Sequence, residues 1–118
     1  MKVDDFDTDI LLKLLQIEKA STTKLAHELL KPEDRYELKK ADSKMRYRLE
    51  RLRKAGLLTR NGVDYKINEE RVSLTEAKLH LAIGAEVPMG PMLVLIPKDG
   101  EVQMRQIFFE EERQKKPD

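Results

Sequence analysis

The segment from residue 39 to residue 66 concentrates side chains that bind phosphate groups. It carries ten lysine and arginine residues against three carboxylates, a net charge of +7, whereas residues 1–38 and 67–118 each carry −3. The whole chain has a net charge of only +1, so the average conceals this block. A basic block of this kind is typical of a surface that binds a polyanion, because neutralising phosphates releases counterions. The alternative is an ordinary solvated helix face.

Residues that support catalysis or bind metals are few and widely spaced. The chain has no cysteine, which excludes disulfides, thiolate metal sites and cysteine nucleophiles. His27 and His80 lack the spacing of metal ligands, and we expect both to be partly buried structural residues. The glycines around Gly84–Gly90 match neither a P-loop nor a dinucleotide fingerprint, and the acidic run Glu110–Glu112 is typical of solvated charge. We therefore predict no catalytic residue, no metal and no cofactor.

Composition limits the class of protein. With 118 residues, 40% hydrophobic and 38% charged, the chain is long enough for one small domain with an appended element. No apolar run approaches the roughly 18 residues that a membrane-spanning helix needs, so we predict no membrane partner. The first residues, Met1 to Asp5, contain no apolar signal core, and we expect a cytoplasmic protein.

Two amphipathic helices are predicted in the first 30 residues. Apolar residues at helical spacing indicate the first helix from about Phe6 to Glu18. Ser21 and the hydroxyl residues that follow it provide an N-cap for a second helix, from about Thr23 to Leu30. Pro32 ends the second helix.

A third, basic helix is predicted from Ser43 to Ala55. Asp42 or Ser43 caps it, and its apolar stripe leaves a polar and basic face on the opposite side. The preceding segment, residues 31–41, either lengthens this helix or forms a separate short helix. In the first case we expect Lys39 and Lys40 to reach the phosphates of a bound polyanion, whereas a separate helix need not place them there. After the helix, Leu57 to Ile67 indicates two short strands around Asn61-Gly62.

The order of helix, helix, basic helix and hairpin in residues 6–67 resembles the winged helix-turn-helix family of DNA-binding domains. The resemblance rests on the capped helix from Ser21 to Leu30, the basic run from Ser43 to Leu58 and the wing around Asn61-Gly62. The end of the basic run is similar to the recognition-helix-to-wing junction of bacterial and archaeal transcriptional regulators. The resemblance implies an α+β fold, in which a three-helix core and a β-hairpin wing are followed by a C-terminal α/β appendage. One departure is that residues 31–41 separate helices that the family joins by a turn of a few residues.

The resemblance implies that the third helix enters the major groove of double-stranded DNA. Arg46 is a candidate for a bidentate contact to guanine, whereas Lys44 and Arg51 are better placed as phosphate anchors. Arg48 and Arg53 lie closer to the apolar stripe, and we expect their stems to cover the core edge. The predicted DNA-binding residues of the second helix, the third helix and the wing are Thr22, Thr23, Lys39, Lys40, Ser43, Lys44, Arg46, Tyr47, Arg51, Arg60 and Lys66.

Residues 69–118 are predicted to form an appendage to the DNA-binding domain of residues 1–68. The capping-box pattern from Ser73 to Glu76 favours a helix over residues 74–83, although residues 78–83 also alternate like a strand. Residues 92–96 and 102–109 are expected to form a second hairpin. The apolar residues of the appendage either form the surface of a homodimer or complete the core of one chain. They are Met89, Met92, Leu93, Leu95, Ile107, Phe108 and Phe109.

These observations predict a sequence-specific transcriptional regulator that binds duplex DNA as a homodimer. The alternative is a winged-helix module for protein interaction within a larger assembly. Such a module would more often present a neutral or apolar face on its third helix, so the basic face favours the regulator.

Overall fold

The structure, a computed structural model, describes residues 1–107 except for the side chains of Ala77 and Leu79. The described residues form three helices and two antiparallel sheets of three strands each, which confirms the predicted α+β class. No helix within residues 1–107 is long and apolar enough to cross a bilayer. The elements in chain order are α1 (Asp5–Ile17), β1 (Lys19–Ser21), α2 (Thr22–Leu30), α3 (Arg35–Lys54), β2 (Leu58–Asn61), β3 (Asp64–Ile67), β4 (Val72–His80), β5 (Glu86–Leu95) and β6 (Gln103–Gln106).

Side-chain caps fix the beginnings of α1 and α2, and both helices agree with the sequence within one residue. The Asp4 carboxylate accepts from the Asp7 N–H at 2.9 Å, and the Asp7 carboxylate accepts from the Asp4 N–H at 3.2 Å. This reciprocal pair satisfies two donors that the first turn of a helix leaves without an intrahelical partner. The Ser21 hydroxyl accepts from the Lys24 N–H at 3.1 Å, as expected for the predicted N-cap of α2.

The predicted start of the third helix at Ser43 is wrong, because α3 begins at Arg35. The Asp34 carboxylate caps it by accepting from the Glu37 N–H at 2.8 Å, so no cap is needed at Asp42 or Ser43. Ala41 is buried in line with the later apolar stripe, which allows the helix to run unbroken. The segment 31–41 therefore lengthens the helix, and only residues 31–34 connect α2 to α3. The long separation between the two helices that the sequence indicated does not exist.

The first sheet has the strand order β1-β3-β2. The predicted hairpin is confirmed as β2 and β3, with Asn61 paired to Asp64 and Gly62-Val63 in the turn. Gly62 has a φ of 65°, the first central position at which a two-residue hairpin turn of type II′ requires glycine. Strand β1 was not predicted, since three residues are too few to show an alternating pattern.

The predicted helix over residues 74–83 is wrong, because this segment lies mostly in strand β4 and its turn to β5. Val72 pairs with Leu95 and Leu74 pairs with Leu93, so β4 is held by a long partner strand that the capping-box pattern does not reveal. The pairing contains a register shift between Ala77 and Lys78. The second predicted hairpin is confirmed as β5 and β6.

One buried cluster joins the helices to the C-terminal strands. It includes Leu49 of α3 and Tyr65 of β3 together with Leu93, Leu95 and Ile107. These last three residues therefore complete the core of one chain, the alternative that the sequence left open.

Two further candidates for a dimer surface lie outside this core. Met92 is half-buried and Met89 is exposed, whereas Phe108 and Phe109 lie outside the described residues. Of the predicted dimer residues within 1–107, only these two methionines remain at the surface.

Candidate nucleic-acid interface

The outward side of α3 forms a continuous polar stripe along the helix. Ala41, Met45, Leu49 and Leu52 bury the opposite side, so residues about 180° around the helix from them face solvent. Tyr36 and Tyr47 are 67% and 68% exposed, far more than an aromatic ring that serves the core. The Lys40 ammonium lies 4.5 Å from the centre of the Tyr36 ring, within cation–π range. We call this side the outer stripe of α3, and it consists of Tyr36, Lys40, Ser43, Tyr47 and Lys54.

Most arginines of α3 are already paired with carboxylates. Arg46 contacts Asp42 at 3.4 Å, and Arg53 is held by both Glu50 oxygens at 2.9 and 3.0 Å. Arg48 and Arg51 also pair with carboxylates, which belong to Asp4 and Asp7 near the start of α1. Carboxylates therefore neutralise much of the positive charge that the arginines of α3 contribute to the basic block. Five basic side chains of α3 form no ion pair with another residue of the described 1–107: Arg35, Lys39, Lys40, Lys44 and Lys54.

A buried carboxylate, Asp7, binds Arg48 and Arg51 to the start of α1. Its side chain has no solvent exposure, and it accepts from Arg48 Nη1 at 3.3 Å and from Arg51 Nη1 at 3.2 Å. Arg48 also pairs with Asp4, and Arg51 donates to the carbonyl of Lys2 at 2.8 Å. The Arg48 hydrogen bond lowers the pKa of Asp4 to about 2, while burial raises the pKa of Asp7. Both guanidinium groups thus fix α3 against α1.

A second cluster fixes the end of α3 to the first sheet. The Tyr65 hydroxyl, on a buried ring of β3, donates to Glu50 at 2.7 Å. Together with the bidentate Arg53, this bond lowers the pKa of Glu50 to about 2, with Arg53 as the larger cause. Burial raises the pKa of Tyr65. Arg53, like Arg48, was expected only to cover the core edge, and the structure shows that both form charged hydrogen bonds.

The two predicted DNA-binding residues at the start of α2, Thr22 and Thr23, have different surroundings. Thr22 is buried, with 8% of its surface exposed. The Thr23 hydroxyl donates to Asp42 at 3.0 Å, and the same carboxylate accepts from Arg46. Asp42 therefore connects α2 to α3 and holds the exposed Arg46 guanidinium against the helix. Lys44, on the same helix, lies 5.1 Å from the centre of the Phe6 ring.

The β2–β3 hairpin carries the remaining predicted residues. Arg60 Nε donates to the carbonyl of Gly62 at 2.9 Å, and its guanidinium lies 5.5 Å from the centre of the Tyr65 ring. Lys66 is exposed and pairs in register with Lys19 of β1. Two like charges directly opposite each other repel, so this pair raises the positive potential of the sheet.

The histidines lie outside these clusters. Both are exposed, so the prediction that they are partly buried is wrong. His27 is on α2, and the His80 ring lies 3.5 Å from Glu86 at the far end of the β4–β5 hairpin. Within residues 1–107, no group of three or more histidine and carboxylate side chains is arranged to hold a metal ion.

Sequence reasoning missed Tyr36 and Arg35 of the candidate interface, and it missed the carboxylates Asp7 and Glu50 that pair with arginines of α3. The pattern Asp34-Arg35-Tyr36-Glu37 is a capping signature that places the start of α3 correctly and brings Tyr36 onto the outer stripe. No comparable local signal identifies Asp7, because its partners lie more than 40 residues away in the sequence.

The comparisons with known proteins give no family. No protein-family model matches the sequence, and no curated protein and no solved structure is detectably similar to it.

Proposed function

We propose that residues 6–67 form a winged helix-turn-helix domain that binds duplex DNA, with the outer stripe of α3 in the major groove. The element order α1-β1-α2-α3-β2-β3 and the connection of residues 31–34 between α2 and α3 support the fold assignment. The β2–β3 hairpin corresponds to the wing. As a transcriptional regulator, such a protein would act by occupying its site.

The observation that carries the proposal is the outer stripe with its flanking basic side chains. Two exposed tyrosines and a row of basic residues, which form no ion pair within residues 1–107, lie on the outward side of a long helix. Lysine presents a compact charge suited to phosphates, whereas base recognition needs planar or hydrogen-bonding groups. Lys39, Lys40 and Lys44 are therefore assigned to the backbone of the duplex. Ser43, Arg46 and Tyr47, together with Tyr36, are assigned to the base edges.

Two predicted residues are left out of this interface. Thr22 is buried, and the Arg51 guanidinium is engaged by Asp7 and by the carbonyl of Lys2. Thr23 stays in the proposal only through the backbone at the start of α2, because its hydroxyl donates to Asp42. Arg60 and Lys66 remain the contacts proposed for the wing.

The test is fluorescence-anisotropy binding to a random duplex library at low and moderate salt. Replacing Lys40 by Gln should weaken binding to all sequences and reduce the slope of log affinity against log salt by about one unit. Lys13→Gln is the matched control, since Lys13 pairs with Glu28 of α2 and does not lie on α3. Equal salt slopes for both variants and the wild type would reject the assignment of the outer stripe.

We propose that the regulator is a homodimer, with the far half of the β4–β5 hairpin as the contact. Leu81, Ile83, Val87 and Met89 are exposed there, and Ile83 is 86% exposed. A two-fold dimer presents two α3 helices to a palindromic site. Mass measurement by light scattering at micromolar concentration tests this: a dimer that Ile83→Glu converts to a monomer supports it, and a monomeric wild type rejects it.

The same exposed apolar residues favour a second candidate function, a protein-interaction module within a larger assembly. The two candidates differ in one measurement. A wild-type chain that binds no duplex even at low salt would reject the regulator and leave the interaction module.

A further inference from the structure

A basic cleft lies between the end of α3 and the edge strand β2. Its volume is about 550 Å³, and the loop that follows β5 closes one side of it. Three cationic side chains line the cleft, and no carboxylate is among the described residues that line it. The three are Arg53 of α3, Arg60 of β2 and Lys98 of the loop. A cleft of this composition repels cations and attracts an anion.

The three positive charges differ in whether residues 1–107 provide an ion-pair partner for them. Glu50 neutralises Arg53 by a bidentate contact. Arg60 and Lys98 form no ion pair with any residue of the described 1–107. By contrast, a neighbouring depression of about 440 Å³ on the other side of the helix end contains the carboxylates of Glu50 and Asp99. The depression therefore differs from the cleft beside β2, because in the depression two carboxylates accompany the cations of Arg51 and Lys54.

Lys98 is held in place by the fold and by a glycine. Its N–H donates to the carbonyl of Ala55 at 2.8 Å, immediately after the end of α3. Its side chain crosses Gly56 so closely that a Cβ at position 56 would lie 2.8 Å from the Lys98 Cγ. Gly56 also has a φ of +85°, which other residues rarely adopt. The glycine thus allows the Lys98 stem to reach the cleft.

We infer that this cleft binds one phosphate group, contributed by the backbone of the duplex beyond the part that α3 contacts. Guanidinium and ammonium groups are the side chains that bind phosphate oxygens most strongly, and the Thr59 hydroxyl in the same cleft is a further donor. The inference rests on the proposed function for the source of the phosphate. If the cleft binds this phosphate, Lys98 in the loop between β5 and β6 contacts the duplex in addition to the helices and the wing.

A purely structural role for these cations is the competing explanation. Positive side chains near the end of a helix stabilise its dipole. However, two carbonyl groups at the end of α3 already accept hydrogen bonds. The Ala55 carbonyl accepts from the Lys98 N–H, and the Gly56 carbonyl accepts from the Asn68 side-chain amide at 2.8 Å. The charges of Arg60 and Lys98 therefore remain available to a ligand.

The first arm of the test is an NMR titration of the full chain with sodium phosphate at constant ionic strength, with sodium chloride as the reference. The amide signals of Gly56 and Gly62 should shift with phosphate, and Lys98→Gln should abolish the shift. Lys98→Arg should retain it, and so should the control Lys13→Gln. Lys98→Gln keeps the backbone bond to Ala55, and thermal unfolding verifies that the variant is folded.

The second arm measures duplex affinity against salt for the same variants. We expect Lys98→Gln to lower the salt slope by about one unit, the value for one lost phosphate contact. A normal slope in this variant, together with no phosphate-specific shift, would overturn the inference while the proposed function stands. Phosphate-specific shifts in a wild-type chain that binds no duplex would reject the proposed function and leave a site for free phosphate.

Discussion

Asp7 offers the most direct test of how α3 is held, because one buried carboxylate serves two arginines and one helix cap. Replacing Asp7 by Ala removes the acceptor of Arg48 and Arg51 and the bond to the Asp4 N–H. A lost cap costs about 1 kcal/mol, and a lost hydrogen bond to a charged group costs about 1.5–3 kcal/mol.

The arginines keep other partners in this variant, which limits the cost. Arg48 retains Asp4, and Arg51 retains the carbonyl of Lys2. The loss should therefore stay below the roughly 3–5 kcal/mol of a buried charge left unpaired, and we expect about 2–3 kcal/mol. Removing a carboxylate whose pKa burial has raised also recovers part of its desolvation cost.

The assay is urea unfolding followed by circular dichroism at pH 7. Asp5→Ala is the matched control, because it removes a carboxylate from the same helix turn, and the Asp5 side chain is 95% exposed. The control should lose less than about 1 kcal/mol, as is typical of an exposed ion pair. If Asp7→Ala destabilises the chain no more than Asp5→Ala does, the cluster does not hold α3 on α1.

Two further predictions concern the other contacts of the core. Arg53 and Tyr65 hold the pKa of Glu50 at about 2, below its usual 4.5, so the bond stabilises the fold above pH 4.5 and is lost as pH falls to about 2. The difference in unfolding free energy between wild type and Glu50→Gln should therefore shrink over that range, and a constant difference would contradict the linkage. Leu93→Ala should cost about 2–5 kcal/mol and lower the midpoint of helix unfolding, because Leu93 lies in the same core as α3. A helix signal that melts as in the wild type would show that the C-terminal strands unfold separately.

The sequence predicts those elements whose signals are local. Ser21 caps α2, Gly62 provides the hairpin turn, and both act within a few residues of their positions. Strand β4 could not be predicted, since its own capping-box pattern favours a helix and only pairing with β5 decides otherwise. The start of α3 is predictable from the capping pattern of Asp34 and Glu37. Asp42 and Ser43 are also good capping residues, and choosing them places the predicted start of the helix too late in the sequence.

The sequence predicts the helix that forms the candidate interface, but it does not predict which of the basic side chains on that helix are paired with carboxylates. The sequence identifies the basic helix correctly and predicts that the stems of Arg48 and Arg53 cover the core edge, but it counts Arg51 as available to DNA. In the fold, Asp7 from α1 and Glu50 from α3 itself engage Arg48, Arg51 and Arg53. Net charge along a segment therefore overestimates the charge that a folded surface presents, because Asp7, which lies outside the segment, neutralises arginines within it.

The length of α3 has a geometric consequence for any duplex that it contacts. A helix from Arg35 to Lys54 extends for about 30 Å, whereas the major groove is about 12 Å wide. A straight rod of that length leaves a curved groove before it ends, so one half of the helix must lie over the backbone. Tyr36 and Tyr47 are separated by about 16 Å along the axis, too far to contact the same base pair. The two tyrosines must therefore contact different base pairs, or one of them must lie over the sugar–phosphate chain.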